Sequence, residues 1–369
     1  MGTREIAFLI LIGSAFAFLG CQRTLKLPYR AEVIHGEMFI TVYAHDIETQ
    51  QGMIPCWSYV SQGFIRHGQQ ELVFTLRRPP GNDEKDFPIK LFEMFKTIFS
   101  YAEKGRLVHA GGYTIFNPNM PFLGHRGKWG LIYLPCQSHP NVEIAPNALE
   151  AVLIKGAETE LIQKVGYYRI ATSLGAAYRY YPCPPWSDPA RKPVISVDDY
   201  EKSVLSKVPC VWTRGLMVRL GAKAQVSLSR FGRSWQDLLA EQETEIILRV
   251  QKDAVPQLNS FLSSLPNEGP IALLTEPDLG ADVRLSWSSA SGETLGIFPL
   301  TGSGSWMTGS FLIFNYGKEI PDGGNVVEDG FYMGLSSASW KRLKSAIASG
   351  QPIAIPASKD GLSLKVEYF

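Results

Sequence analysis

The sequence has almost no excess of either charge. Its 36 Lys and Arg residues are matched by 35 Asp and Glu residues, which gives a formal net charge of +1 at pH 7. Proteins that bind nucleic acid, or that attach to anionic lipid by charge, concentrate basic residues on one surface. We therefore expect neither kind of contact. With 45% hydrophobic and 19% charged residues over 369 positions, the composition predicts a globular protein of two domains.

Cysteine and histidine are scarce, and neither has the spacing of a metal site. Apart from Cys21 the sequence has four cysteines and no C-x-x-C pair, which excludes a zinc ribbon and a thioredoxin-like centre: Cys56, Cys136, Cys183 and Cys210. These four allow up to two disulfides, and four free thiols are an equally good alternative. The six histidines lack H-x-x-x-H spacing, so we expect scattered surface and turn positions without metal or other cofactor: His35, His45, His67, His109, His125 and His139.

Sequence motifs of catalysis are also missing. The segment 302–305 lacks the G-x-S-x-G frame of a nucleophile elbow, and Gly127-Lys128 lacks the other residues of a phosphate-binding loop. The neighbouring carboxylates Asp198-Asp199 and Glu328-Asp329 would point to opposite sides of an extended chain, where they cannot share a substrate. We expect a protein that is not an enzyme. The alternative is an envelope hydrolase with dispersed catalytic residues, because catalytic triads are assembled in space rather than in sequence.

The first 21 residues have the features of an export signal. Arg4 precedes an apolar run over 6–19 that is short for a membrane span, and Leu19-Gly20-Cys21 follows. These last residues resemble the lipobox of bacterial lipoproteins, in which the cysteine thiol receives a diacylglycerol and becomes the new N-terminus. The resemblance implies lipidation at Cys21, while an ordinary signal peptide is the alternative. Gln22 is not the aspartate that marks retention in the inner membrane in that family, which implies an outer-membrane anchor facing the periplasm.

The composition of the remaining chain predicts a tether and two domains. Residues 22–35 are predicted to be a tether, 36–208 a first α+β domain and 209–369 a second α+β domain. The division rests on the proline-rich segment 182–193, because proline interrupts regular structure and is concentrated in connecting loops.

Hydrophobic periodicity predicts both strands and helices in each half. Strict alternation over 71–77 predicts a half-buried strand, and the aromatic segment 178–181 predicts another. Apolar residues at helical spacing and helix-start signals predict helices at 86–102, 158–173, 234–240, 253–265 and 338–348. This order favours an α+β fold of two mixed-sheet domains with helices packed on the sheets.

Three segments carry a resemblance to a known family. They are LGAAYRYYPCP at 174–184, TGSFLIFNYG with NVVEDG at 308–330, and QQELVFTLRR with the helix after it at 69–102. The sequence over about 57–348 resembles the C-terminal domain of the Smad anchor for receptor activation and endofin, which are endosomal scaffold proteins. The third segment is also similar to the suppressor-of-fused family, another group of non-catalytic binding proteins.

The resemblance implies an interaction module without catalytic residues. The FYVE zinc finger and the Smad-binding region of those scaffolds have no counterpart here, so neither endosomal targeting nor Smad binding is carried over. We expect a lipid-anchored binding or scaffold protein of the bacterial cell envelope that contacts a partner protein and is attached to the membrane through lipid on Cys21.

The lipid anchor has a direct test. The variant Cys21→Ser removes the thiol that would be acylated, and several acyl chains on one residue hold a protein to a membrane far more firmly than a single chain does. We expect the unmodified chain to remain in the membrane fraction after a salt wash and the variant to leave it. A variant that stays with the membranes would show that Cys21 is not the anchor.

Overall fold

A computed structural model describes residues 27–117, 119, 121–226, 245–278, 281, 283–299, 304–358 and 361–369. Cys21 and the helix expected at 234–240 lie outside these residues. The described residues form five α-helices: α1 Leu91–Ala102, α2 Ala157–Tyr178, α3 Val197–Lys202, α4 Val255–Ser264 and α5 Ser337–Ser349. Within the described ranges, no helix combines the length and the hydropathy needed to cross a bilayer.

The first sheet is built from the first half of the chain. Its strands are β1 Tyr29–Ile34, β2 Met38–Thr49, β3 Gly52–Gln62, β4 Leu72–Arg77, β5 Tyr113–Ile115, β6 Trp129–Pro135, β7 Leu149–Lys155 and β8 Trp186–Ser187. The order is β1-β2-β3-β4-β7-β6-β5, with β8 beside β4. Strand β4 runs parallel to β7 and β8, and the other neighbours are antiparallel. Short β5 forms one edge of this sheet.

The second sheet is built from the second half. Its strands are β9 Cys210–Val226, β10 Glu245–Val250, β11 Gly269–Glu276, β12 Val283–Trp287, β13 Thr294–Ile297, β14 Gly304–Thr308, β15 Phe311–Gly317, β16 Gly323–Val327, β17 Gly330–Ser336, β18 Ile353–Ile355 and β19 Ser363–Tyr368. The main order is β13-β12-β14-β9-β11-β15-β17-β16, while β10 joins β9 to β19 and β18. Two mixed sheets with few helices confirm the expected α+β class.

Helices and sheets alternate in five layers. On β7, Ala151 and Leu153 face the core shared with α1, while Val152 and Ile154 face α2. On β11, Ala272 and Leu274 face α2 from the other side, and the alternate residues Ile271 and Leu273 face α4 and α5. The central strands therefore read as nearly continuous apolar runs, because both of their faces are covered. Helix α2 is the middle layer and touches both sheets.

Several elements differ from the sequence predictions. Residues 29–34 of the expected tether form β1, which pairs with β2. The strand expected at 178–181 is wrong, because α2 continues to Tyr178 and ends where Arg179 takes a left-handed conformation at φ 50°. Its packing between two sheets outweighs the strand propensity of its tyrosines. The first helix begins at Leu91 rather than near residue 86, and Ser336 rather than Ser337 caps α5.

The four cysteines in the described residues are free thiols: Cys56, Cys136, Cys183 and Cys210. Of the two alternatives left open by the sequence, the free-thiol state is the one found. The disulfide alternative is wrong.

A buried ion-pair network joins the two halves. Nη2 of Arg169, in the middle of α2, lies 2.8 Å from Oε2 of Glu328 and 3.2 Å from Oδ1 of Asp329. Nη1 of Arg169 donates to Oγ of Ser203 over 2.8 Å, and Oγ of Ser310 donates to Oδ2 of Asp329 over 2.5 Å. The expectation that the two carboxylates diverge is wrong, because Glu328 has φ 51° and turns the chain. Burial raises the pKa of Asp329 against the opposing effect of Arg169.

Removing the guanidinium should destabilise the fold strongly. The variant Arg169→Met leaves two buried carboxylates without their cation, and breaking a buried pair in this way typically costs about 3–5 kcal/mol. We expect a correspondingly lower free energy of unfolding in urea titrations. Lys128→Met is the control, since Lys128 forms a 2.6 Å pair with Glu160 on the surface and should shift the midpoint little. Equal shifts in both variants would contradict the role of the network.

Candidate functional site

The open edge of the first sheet lies at β5. This strand pairs with β6 on one side, with Thr114 opposite Leu131. Hydrogen bonds from the Phe116 amide to Trp129 and from the Tyr133 amide to Gly112 place Thr114 in the bonded register. In an antiparallel ladder the residues between bonded pairs turn their N–H and C=O groups to the other side. The backbones of Tyr113 and Ile115 therefore face outward from the sheet.

A groove runs beside this edge, across α2 and towards the start of β9. Its volume is about 390 Å³. Its walls come from the β5 edge, from one turn of α2 and from β9: Gly111, Gly112, Tyr113, Ile162, Gln163, Gly166, Tyr167 and Trp212. The groove thus lies where the two sheets and the central helix meet.

Two glycines leave the space that forms the groove. Gly111 has φ +84°, and a Cβ atom there would lie 3.0 Å from the Tyr167 ring. Gly166 interrupts α2 with φ 78° and ψ 154°, which bends the helix at the floor of the groove. Side chains at these positions would either strain the backbone or fill the groove.

The rim of the groove is aromatic and apolar. Tyr113 and Trp212 in its lining are 38% and 44% exposed, and Ile115, two residues further along β5, is 41% exposed, which is high for large hydrophobic side chains. Gln163 Nε2 donates to Tyr113 Oη over 2.8 Å and fixes that ring. Burial raises the pKa of Tyr167 well above its usual value, so the phenol stays neutral. A neutral, apolar groove beside unpaired strand groups suits an extended peptide with an apolar side chain better than a charged ligand.

A second, larger cleft of about 510 Å³ lies between α2, the segment before α3 and the end of β12. Two of the charged side chains that line it, Arg191 and Asp199, are bonded to neighbouring groups of the fold. Arg191 forms a bidentate pair with Glu158 at 2.6 and 2.7 Å. Asp199 accepts hydrogen bonds from Ser196 and Ser289. Burial acts to raise the pKa of Asp199, but these hydrogen bonds lower it overall. Such groups are positioned to hold the layers together.

Three side chains that were not predicted to lie close together are in contact beside the first sheet. Cys136 Sγ and His139 Nε2 lie 3.1 and 2.9 Å from the same oxygen, Oε2 of Glu150. The expectation of surface and turn histidines is wrong for His139 and for His45, which are both buried. The C-x-x-H spacing of Cys136 and His139 is the sequence signal that could have indicated this cluster. Burial, and then Glu150, raise the pKa of the Cys136 thiol, whereas an activated nucleophile needs a lowered one.

Gly166 should resist substitution for conformational reasons. Its backbone angles are stable essentially only for glycine, while a Cβ atom would meet Leu274 at an ordinary 3.6 Å. We expect Gly166→Ala to lower the free energy of unfolding by about 1–3 kcal/mol in urea titrations. Gly317→Ala is the control, since its Cβ would meet Ile320 at 3.5 Å without a left-handed backbone. Equal stability of the two variants would contradict the assigned strain.

Comparison with known proteins gives a partial relationship. No protein-family model matches the chain. The human zinc finger FYVE domain-containing protein 9 is 34% identical over 143 residues, which cover 38% of this chain and 10% of the human protein. That protein belongs to the Smad-anchor and endofin family whose resemblance was noted in the sequence. The match spans only a small part of the human protein, so it supports a distant relation to this family and no more.

Proposed function

We propose that this chain is a lipid-anchored protein of the bacterial cell envelope that works as a non-catalytic binding or scaffold module. Its partner is a protein that presents an extended, apolar segment to the groove beside β5. The observation that carries the proposal is the exposure of Tyr113, Ile115 and Trp212 around a groove next to an open strand edge.

An added strand would use the groups that β5 leaves unpaired. The backbone N–H and C=O groups of Tyr113 and Ile115 point away from β6, so a partner strand can continue the ladder there. Natural proteins usually protect such an edge with charge, proline or a covering element. Here the edge residues are instead an aromatic and an aliphatic side chain, which favours binding over protection.

The groove would then supply selectivity. Successive side chains of a strand point to opposite faces, so alternate residues of the partner would reach the α2 side. The neutral Tyr167 and the Trp212 ring offer apolar contact there, and burying a large apolar side chain contributes about 1.5–3 kcal/mol. A partner with an aromatic or aliphatic residue at that position is therefore preferred over one with a charged residue.

The sequence supports the remaining parts of the proposal. The resemblance to scaffold proteins, together with the distant relation to the human FYVE-domain protein, favours a binding role. The lipobox-like Leu19-Gly20-Cys21 supports the anchor. Between Cys21 and the start of β1 at Tyr29 the chain can reach at most about 28 Å, so an anchored protein would keep its first sheet close to the membrane.

The test is site-specific photocrosslinking in intact cells. A photoreactive residue replaces Trp212 at the groove, and the control carries it at Ile65, which is exposed on a different part of the first half. We expect one envelope protein to crosslink in stoichiometric amount at position 212 and not at position 65. The same product at both positions, or no product at 212 with an active crosslinker, would overturn the proposed groove.

A charged side chain on the edge strand β5 should abolish binding of the partner strand. The variant Ile115→Lys places an ammonium group on β5. Lysine on an edge strand is one of the devices by which natural proteins prevent the addition of another strand. We expect it to remove the crosslink at position 212 while the thermal unfolding midpoint changes little, because Ile115 is largely exposed. Ile65→Lys is the matched control and should retain the crosslink. Retention of the crosslink in Ile115→Lys would show that β5 is not the binding edge.

A further inference from the structure

The hairpin of β6 and β7 brings a cysteine, a histidine and a glutamate together. Cys136 directly follows β6, and His139 lies three residues further in the connecting loop. Glu150 is the second residue of β7 and stands opposite Leu134 of β6 in the ladder. The three residues therefore meet at the end of the hairpin by the register of two strands, rather than by chance contact of surface loops.

The three potential ligand atoms converge on one point. They all lie within 4.8 Å of one another. Cys136 Sγ lies 3.1 Å and His139 Nε2 lies 2.9 Å from Oε2 of Glu150. The His139 and Glu150 side chains are almost completely buried, at 1% and 2% exposure, whereas Cys136 is partly exposed. The site is thus closed on the sheet side and accessible beside the thiol.

Two polar atoms around this cluster have no partner. Oε1 of Glu150 is buried without a hydrogen bond, and so is Nδ1 of His45, whose ring lies 5.4 Å from that of His139. Nε2 of His45 is held by Oγ of Ser58 over 2.7 Å. Leaving a buried acceptor unsatisfied costs about 1–3 kcal/mol, and more when the group is charged. Oε1 of Glu150 in particular is a buried carboxylate oxygen that is free to bind a cation.

We propose that Cys136, His139 and Glu150 bind a divalent transition metal ion, with zinc as the preferred ion. A thiolate, an imidazole and a carboxylate are all zinc ligands, and the sulfur ligand makes calcium or magnesium a poor fit because those ions take oxygen ligands. Three protein ligands leave the fourth tetrahedral position for water or for a neighbouring side chain. The His45 ring lies 5.4 Å from that of His139.

Two of the three ligand separations lie close to those of a zinc site, and the third, between Sγ of Cys136 and Nε2 of His139, is at most 4.8 Å. Ligand atoms held about 2.0–2.3 Å from a zinc ion lie roughly 3.4–3.7 Å apart in a tetrahedron. The two measured separations of 2.9 and 3.1 Å are shorter by about half an ångström, as expected of side chains that hydrogen bond to one another until a cation separates them. The inference does not depend on the proposed partner groove, which involves β5, α2 and β9.

Cobalt and zinc binding test the proposal on the full-length, detergent-solubilised and reduced protein. Co²⁺ should bind at one equivalent per chain and give a thiolate-to-cobalt charge-transfer band with tetrahedral visible absorption, and Zn²⁺ should displace it. Cys136→Ser should abolish the charge-transfer band. Glu150→Gln should weaken metal binding by about tenfold or more, because losing a contact that merely supports a ligand already weakens binding by about that factor. Cys210→Ser is the control, because Cys210 is also a partly exposed free thiol, and it should bind as the unmodified chain does.

Thermal unfolding separates metal binding from a folding defect. Zn²⁺ should raise the midpoint of the unmodified chain and of Cys210→Ser, because a ligand that binds only the folded state stabilises it. At the same Zn²⁺ concentration the rise should be clearly smaller in Glu150→Gln, even if that variant is less stable from the start, because a weaker ligand stabilises the folded state less. Cobalt uptake without a charge-transfer band, or a rise in Glu150→Gln as large as in the unmodified chain, would overturn the site. So would an unmodified chain that binds neither ion when reduced, which would make the cluster a hydrogen-bonded network only.

Discussion

Helix α2 lies between two sheets, so a polar side chain on either of its covered faces is kept out of water. Arg169 nevertheless occupies its middle with a side chain that is 6% exposed. A buried guanidinium requires acceptors for its N–H groups and a compensating charge. The turn between β16 and β17 provides both, because Glu328 and Asp329 reach the same nitrogen. This network therefore ties the middle of α2 to the second half of the chain, alongside the apolar contacts of the helix with the second sheet.

The same helix also shapes the candidate groove. Gly166 lies less than one turn from Arg169, and its break in α2 brings Tyr167 beneath Gly111. The network fixes the position of the helix, and the glycine permits the bend that opens space beside β5. A substitution at either residue would therefore act on both features. The groove depends on the docking of the two sheets as much as on the residues that line it.

Much of the architecture follows from local patterns, because alternation and apolar runs report directly on which side chains are buried. The position of the strand at 71–77 and the α+β class are of this kind, but the half-buried character predicted for that strand is wrong, because both faces of β4 are buried. The end of α2 could not be predicted, because contacts with both sheets decide it and these join residues far apart in sequence. The pairing of Arg169 with Glu328 spans 159 positions and leaves no local signal. For the Cys136 cluster, the spacing to His139 was visible, but Glu150 joins them only through strand register.

The position of α2 has a consequence for how the molecule can be divided. By sequence the helix belongs to the first half, but Ala272, Leu274, Phe311 and Ile313 of the second sheet pack against it. A gene fragment that encoded either sheet without α2 would produce an apolar surface with nothing to cover it. The first sheet ends at β8 and the second begins at β9, while α2 packs against both. In any fusion or rearrangement of such genes, both sheets and the helix between them have to be inherited as one piece.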